Sequence, residues 1–78
     1  MKIVFLGRLA DAAGHREFEF ALPPGITDTT ALRDLLGKDI PALVDPSVRI
    51  IVNDVVARDG HPLAPGDEVA FFPPVSGG

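Results

Sequence analysis

At 78 residues the chain is one domain near the lower size limit for a self-sufficient core, and 46% hydrophobic against 23% charged residues excludes a disordered chain. A net charge of -4 with a pI of about 4.8 argues against nucleic acid, which calls for a basic stripe, and favours a partner with basic surface. Cysteine is absent, so disulfides and thiolate metal sites are excluded, and no apolar run approaches a membrane span.

Lys2-Ile3-Val4-Phe5-Leu6 is β-branched and aromatic and reads as a central strand. Met1-Lys2 leads into only four apolar residues before Gly7, which is no signal peptide, so a soluble cytoplasmic protein is expected. Gly7 to Gly14 reads as turn and loop. His15 to Leu22 alternates, with Phe18, Phe20 and Leu22 on one side, and predicts a half-buried second strand in a hairpin with the first. Pro23-Pro24-Gly25 ends it.

Thr27 or Asp28 can cap a helix whose buried stripe is Ala31, Leu32, Leu35 and Leu36. Gly37 stands where a left-handed C-terminal residue belongs. Lys38 to Val44 is a connector with room for a short helical turn, limited by Pro41. Val48 to Val52 is a third strand, Asn53-Asp54 a tight turn, and Val55-Val56-Ala57 a short fourth strand. Arg58 to Gly66 reads as loop, and Glu68 to Phe72 as the fifth strand. The order predicts an α+β fold in two layers, a sheet of four or five strands with one helix across one face.

Phe71 and Phe72 are strand neighbours, so their rings point to opposite faces. Parity assigns Ile3, Phe5, Val69 and Phe71 to the core, and Val4, Leu6 and Phe72 to the open face, with Val56 joining them. An apolar group beside a chain end is the pattern of a docking surface. That end is unusual. Pro73-Pro74 stiffens the backbone, and Val75-Ser76-Gly77-Gly78 follows, a reach of about 13 Å. Two glycines leave the terminal carboxylate bare, able to enter a tunnel where any Cβ would clash. The predicted organisation is a domain over 1–74 and a flexible tail over 75–78.

Other chemistry is thin. His15 and His61 are far apart in sequence and form no ligand-spaced cluster, so no metal is expected. Phosphate loops are absent, and no Ser stands beside a His as a nucleophile. The reactive group the chain offers is the carboxylate of Gly78.

From His61 to Gly78 the sequence resembles the C-terminal signature of the molybdopterin synthase small-subunit family, the MoaD family, above all in Gly66-Asp67-Glu68-Val69-Ala70-Phe71-Phe72-Pro73-Pro74-Val75-Ser76-Gly77-Gly78. The opening Met1 to Gly7, the segment Thr30-Ala31-Leu32-Arg33 and the Val52-Asn53 turn are similar too. Ser76 stands where Thr is also common, and residues 38–47 fit least well. The resemblance implies a ubiquitin-like β-grasp fold and a subunit that is not itself catalytic, with the catalytic residues on a large subunit and the assembly a heterotetramer. It implies that Gly78 is adenylated by an ATP-using, ubiquitin-activating-like enzyme and then thiocarboxylated, with no cofactor bound to the chain itself. Val75, Ser76 and Gly77 would be the threaded tail. Leu6, Val56 and Phe72, with Pro73 and Pro74, would meet the large subunit, and sulfur would pass to a cyclic pyranopterin precursor to form a dithiolene. The readings left beside it are a β-grasp carrier for thiamine or another sulfur pathway, a ubiquitin-like protein modifier, and an interaction module with an inert tail.

Overall fold

Strand-forming side chains open and close the domain, and the two ends lie side by side. In a computed structural model that describes residues 1–73, β1 (Lys2–Phe5) pairs in parallel with β5 (Glu68–Phe72), setting Ile3 opposite Val69 and Phe5 opposite Phe71. Adjacent parallel strands need a crossover, and α2 (Thr29–Gly37) lies on it. β2 (Glu17–Glu19) pairs antiparallel with the outer edge of β1, while β3 (Arg49–Val52) pairs antiparallel with β5 and with β4 (Val55–Ala57). The result is a five-stranded mixed sheet in the order β2-β1-β5-β3-β4, with one main helix, as the element order predicts.

The core lies between the sheet and α2. Ile3, Phe5, Val69 and Phe71, the four residues assigned inward by parity, are all fully buried. Leu32 and Leu36 face them from the helix, and Leu9, Ile40, Leu43, Val48, Ile50 and Val52 complete the cluster. Phe18, Phe20 and Leu22 are partly buried against it, which is the alternation read from the sequence. β2 is nevertheless shorter than the predicted His15 to Leu22, because β1 offers only four residues to pair with. The ladder is carried one step further by hydrogen bonds from Phe5 N–H to the Arg16 carbonyl and from Phe20 N–H to the Met1 carbonyl.

Residues 7–14 are not the loop predicted. Arg8–Ala13 forms a six-residue helix, α1, with Leu9 buried. The two glycines that suggested a loop mark its boundaries instead. Gly14 closes it in the left-handed region at φ 84, and its N–H reaches the Ala10 carbonyl. Between them, Leu and three Ala are strong helix formers that hardly compete with the backbone.

In α2, Asp28 is the cap: its carboxylate accepts from Ala31 N–H at 2.8 Å. The buried stripe is rotated from the predicted one. It runs through Thr29, Leu32 and Leu36, while Ala31 and Leu35 are only half-buried. Gly37 is not left-handed; it lies within α2, and Lys38 follows in right-handed helical geometry. Its lack of a side chain serves a close approach, since a Cβ there would fall 2.5 Å from Val44 Cγ1. Val44 ends a short 3₁₀ turn, Pro41–Val44, which Pro41 opens rather than limits.

Candidate docking face and chain end

The sheet face opposite α2 begins from alternation. If Ile3, Phe5, Ile50, Val69 and Phe71 point inward, their strand neighbours point outward. Strand register then aligns Val4 with Ala70, Ala70 with Ile51, and Ile51 with Val56, an apolar row across four strands. One step toward the end of β5, Phe72 is 40% exposed and pairs with Arg49. Val56 is 67% exposed, well beyond what a covered β-strand residue shows. Val4 is half-buried, as is Leu6, which follows β1 with the parity of Val4. Leu6 N–H continues the parallel ladder to the Phe71 carbonyl.

All four residues assigned to the open face are therefore on it. Sequence reading missed Ile51 and Ala70, which join them. The signal was present in Ile50-Ile51, two adjacent isoleucines on a strand, of which one must face outward. The other end of the face is charged. Lys2 Nζ lies 2.9 Å from Glu17, and that contact, with Glu68 and Glu19 nearby, raises the Lys2 pKa. The terminal ammonium is 3.7 Å from Glu19. The face thus runs from a charged rim at the start of β1 to an aromatic edge at the end of β5.

At that edge Pro73 packs against Gly7. Gly7 has φ 55, and a Cβ there would meet Pro73 Cγ at 2.9 Å. A residue without a side chain therefore lets the chain leave β5 close to the turn after β1. Pro74, Val75, Ser76, Gly77 and Gly78, the remainder of the predicted stalk and tail, lie outside the described residues.

The second polar feature is structural. Thr29 is fully buried, donates its hydroxyl to the Arg58 carbonyl at 2.9 Å and accepts from His61 N–H at 3.1 Å. Thr30 accepts from Gly60 N–H at 2.8 Å, and Leu63 N–H reaches the Thr27 carbonyl. The 58–63 segment is thus laced to the start of α2, which places His61 in packing and not at a reactive centre. The His15 ring meets Phe18 edge-on at 4.8 Å. Among the described residues no three His, Cys, Asp or Glu gather as a metal site, and no helix is long and apolar enough to cross a membrane.

The ThiS family model matches residues 3–78. The molybdopterin synthase sulfur carrier subunit of Escherichia coli (strain K12) is 54% identical over 37 residues, 47% of this chain and 46% of that protein, so the match spans about half the relative's length. The crystal structure of SAMP1 from Haloferax volcanii superposes with a TM-score of 0.79 at 31% identity, over 100% of this chain and 98% of that one. A putative molybdopterin converting factor, subunit 1, from Pyrococcus furiosus gives a TM-score of 0.79 at 27% identity, over 95% of each chain. The architecture is the ubiquitin-like β-grasp.

Proposed function

The chain belongs to the ThiS family, and on that premise we propose that it is the sulfur-carrier small subunit of molybdopterin synthase. In this reading the body docks through the open sheet face and the tail carries the chemistry. The Gly78 carboxylate is a poor acyl donor. Attack on the α-phosphate of ATP, on a ubiquitin-activating-like adenylyltransferase, releases pyrophosphate and gives an acyl-adenylate, in which AMP is a good leaving group. A sulfide-level sulfur nucleophile attacks the acyl carbon, AMP leaves, and the resulting thiocarboxylate enters the active site of the large subunit. There it gives its one sulfur to a cyclic pyranopterin precursor and returns to the carboxylate, so two carriers in turn supply the two sulfurs of the dithiolene. The acids and bases for that transfer belong to the large subunit.

One observation carries this reading: the family match runs to the final glycine of a chain whose last strand ends at an exposed aromatic edge. Intact mass of the protein isolated from its native host tests it. Replacement of one terminal oxygen by sulfur is expected, with the change located to Gly78 by fragmentation. A carboxylate terminus under all growth conditions that require molybdoenzymes would reject the proposal.

A second reading has its own support, the full-length likeness to an archaeal small modifier protein at 31% identity. If the activated Gly78 is instead passed to lysine amines, the same host yields isopeptide conjugates of this chain and no thiocarboxylate.

A further inference from the structure

Beyond Val56 the surface turns from apolar to cationic. β3 and β4 pair Ile50 with Ala57, so one step further Arg49 and Arg58 end the hairpin from opposite strands. Both are exposed. β5 pairs Phe72 with Arg49, which puts this end of the hairpin in the same row as the aromatic edge. A cleft of about 400 Å³ opens here, walled by the hairpin and by the 44–48 connector, with Arg33 of α2 also lining it. Three of the chain's five arginines line this one cleft. Among its lining residues the carboxylate is Asp59, 3.5 Å from Arg33.

Like charges at facing ends of a hairpin oppose its pairing. In a chain of net charge -4, carboxylates are plentiful, yet Arg49 and Arg58 form no ion pair among the described residues. Guanidinium groups bind carboxylates through paired hydrogen bonds, and a counter-charge from outside would relieve the repulsion. The cleft also has apolar wall in Val56 and Val44, which are 67% and 50% exposed. Val56 belongs both to this wall and to the row on the open face. A partner that covers Val56 on that face therefore lies at the edge of the cleft.

We propose that the cleft between Arg33, Arg49 and Arg58 receives an acidic segment of the protein that docks on the open sheet face. This rests on reading that face as a docking surface. The apolar row supplies contact area with little directional preference. The arginines fix the rotation of the partner about it and favour an acidic loop at one corner of an otherwise acid-repelling molecule.

The test uses the full chain and a molybdopterin synthase large subunit, with dissociation constants measured at low and at physiological salt. R49E/R58E should weaken binding roughly tenfold or more and flatten its salt dependence. R8E/R16E makes the same change of charge away from the cleft and should stay within about twofold. R49Q/R58Q, which removes charge without reversing it, should lie between, and thermal melting checks that each variant is folded. Phe72→Ala reads the face independently. Should it weaken binding while R49E/R58E behaves like R8E/R16E, the cleft assignment is overturned and the docking face stands. No binding by the unaltered protein would sink both. Saturation of the cleft by inorganic phosphate, abolished in R49E/R58E with partner affinity unmoved, would make it a small-anion site and would also overturn the proposal.

Discussion

Thr29 shows how much a single side chain can hold when its hydroxyl has two partners. It is buried, donates to the Arg58 carbonyl and accepts from His61 N–H, so it fixes the long loop that returns the chain from β4 to β5. Thr29→Val keeps the shape and removes both bonds, leaving the Arg58 carbonyl and the His61 N–H only the bond they make with each other. It should cost about 1–3 kcal/mol of stability, read from urea unfolding, with the 58–63 amides losing hydrogen-exchange protection first. Asp67 works at the other end of the same loop. Its carboxylate accepts from Ala64 N–H at 2.9 Å and from the Asn53 amide at 3.0 Å, and both bonds hold its pKa below the ordinary 3.8. A carboxyl with a depressed folded-state pKa stabilises at neutral pH, and that contribution fades as the pH falls below 3.8 through the folded value. Asp67→Ala should therefore unfold at lower urea than the natural chain at pH 7, and the gap should narrow as the pH falls below 4. A gap constant across that range would show that the ionised carboxylate is not what ties the turn.

At the scale of elements, alternation was readable and helix placement less so. Phe71-Phe72, Ile3 to Leu6 and Val69 carry a period of two, and the structure places each on the face that parity assigns. The Asn53-Asp54 turn was equally plain, and its positive φ values of 49 and 69 are those of a two-residue hairpin. α1 was missed because six residues between glycines look like a loop until Leu9 finds a core to bury in. The rotated stripe of α2 had a similar cause. Thr29 is polar, and only the loop that folds over it satisfies its hydroxyl, a contact between positions 29 residues apart. Of the candidate site, the sequence showed Val4, Leu6, Val56 and Phe72 but not Ile51 or Ala70, nor the arginine cleft, which depends on strand register. The open face leads to a prediction about the sheet as a unit. Val56 is on an edge strand and 67% exposed, so Val56→Asp should change stability by less than about 0.5 kcal/mol. It buries a charge at the apolar row only when a partner docks, and should weaken binding to the large subunit by at least tenfold, read by titration calorimetry. Equal losses of stability and binding would mean that the row holds the fold and not a partner.

At the scale of the whole molecule, the proposed function divides the work between body and tail. The body offers an apolar row, a charged rim and a cationic corner, and these features can give affinity and orientation without reaching the reacting atom. In the proposed function the role of Gly78 is chemical. Binding and sulfur transfer should therefore separate under mutation. Deleting Gly78 should leave affinity for the large subunit within roughly threefold, because the docking face is untouched. The same deletion should abolish both adenylation and dithiolene product, since the preceding residue cannot bring its carboxylate to the place where a chain one residue longer reacts, and a displacement of about 3 Å is far outside reacting distance. Phe72→Ala should do the reverse: adenylation at high enzyme concentration persists, while the complex with the large subunit weakens. The two variants mixed in one reaction should remain inactive, because docking face and reactive end must be on the same chain. Recovery of product from that mixture would show that the tail acts free of the body, and the division of labour proposed here would fail.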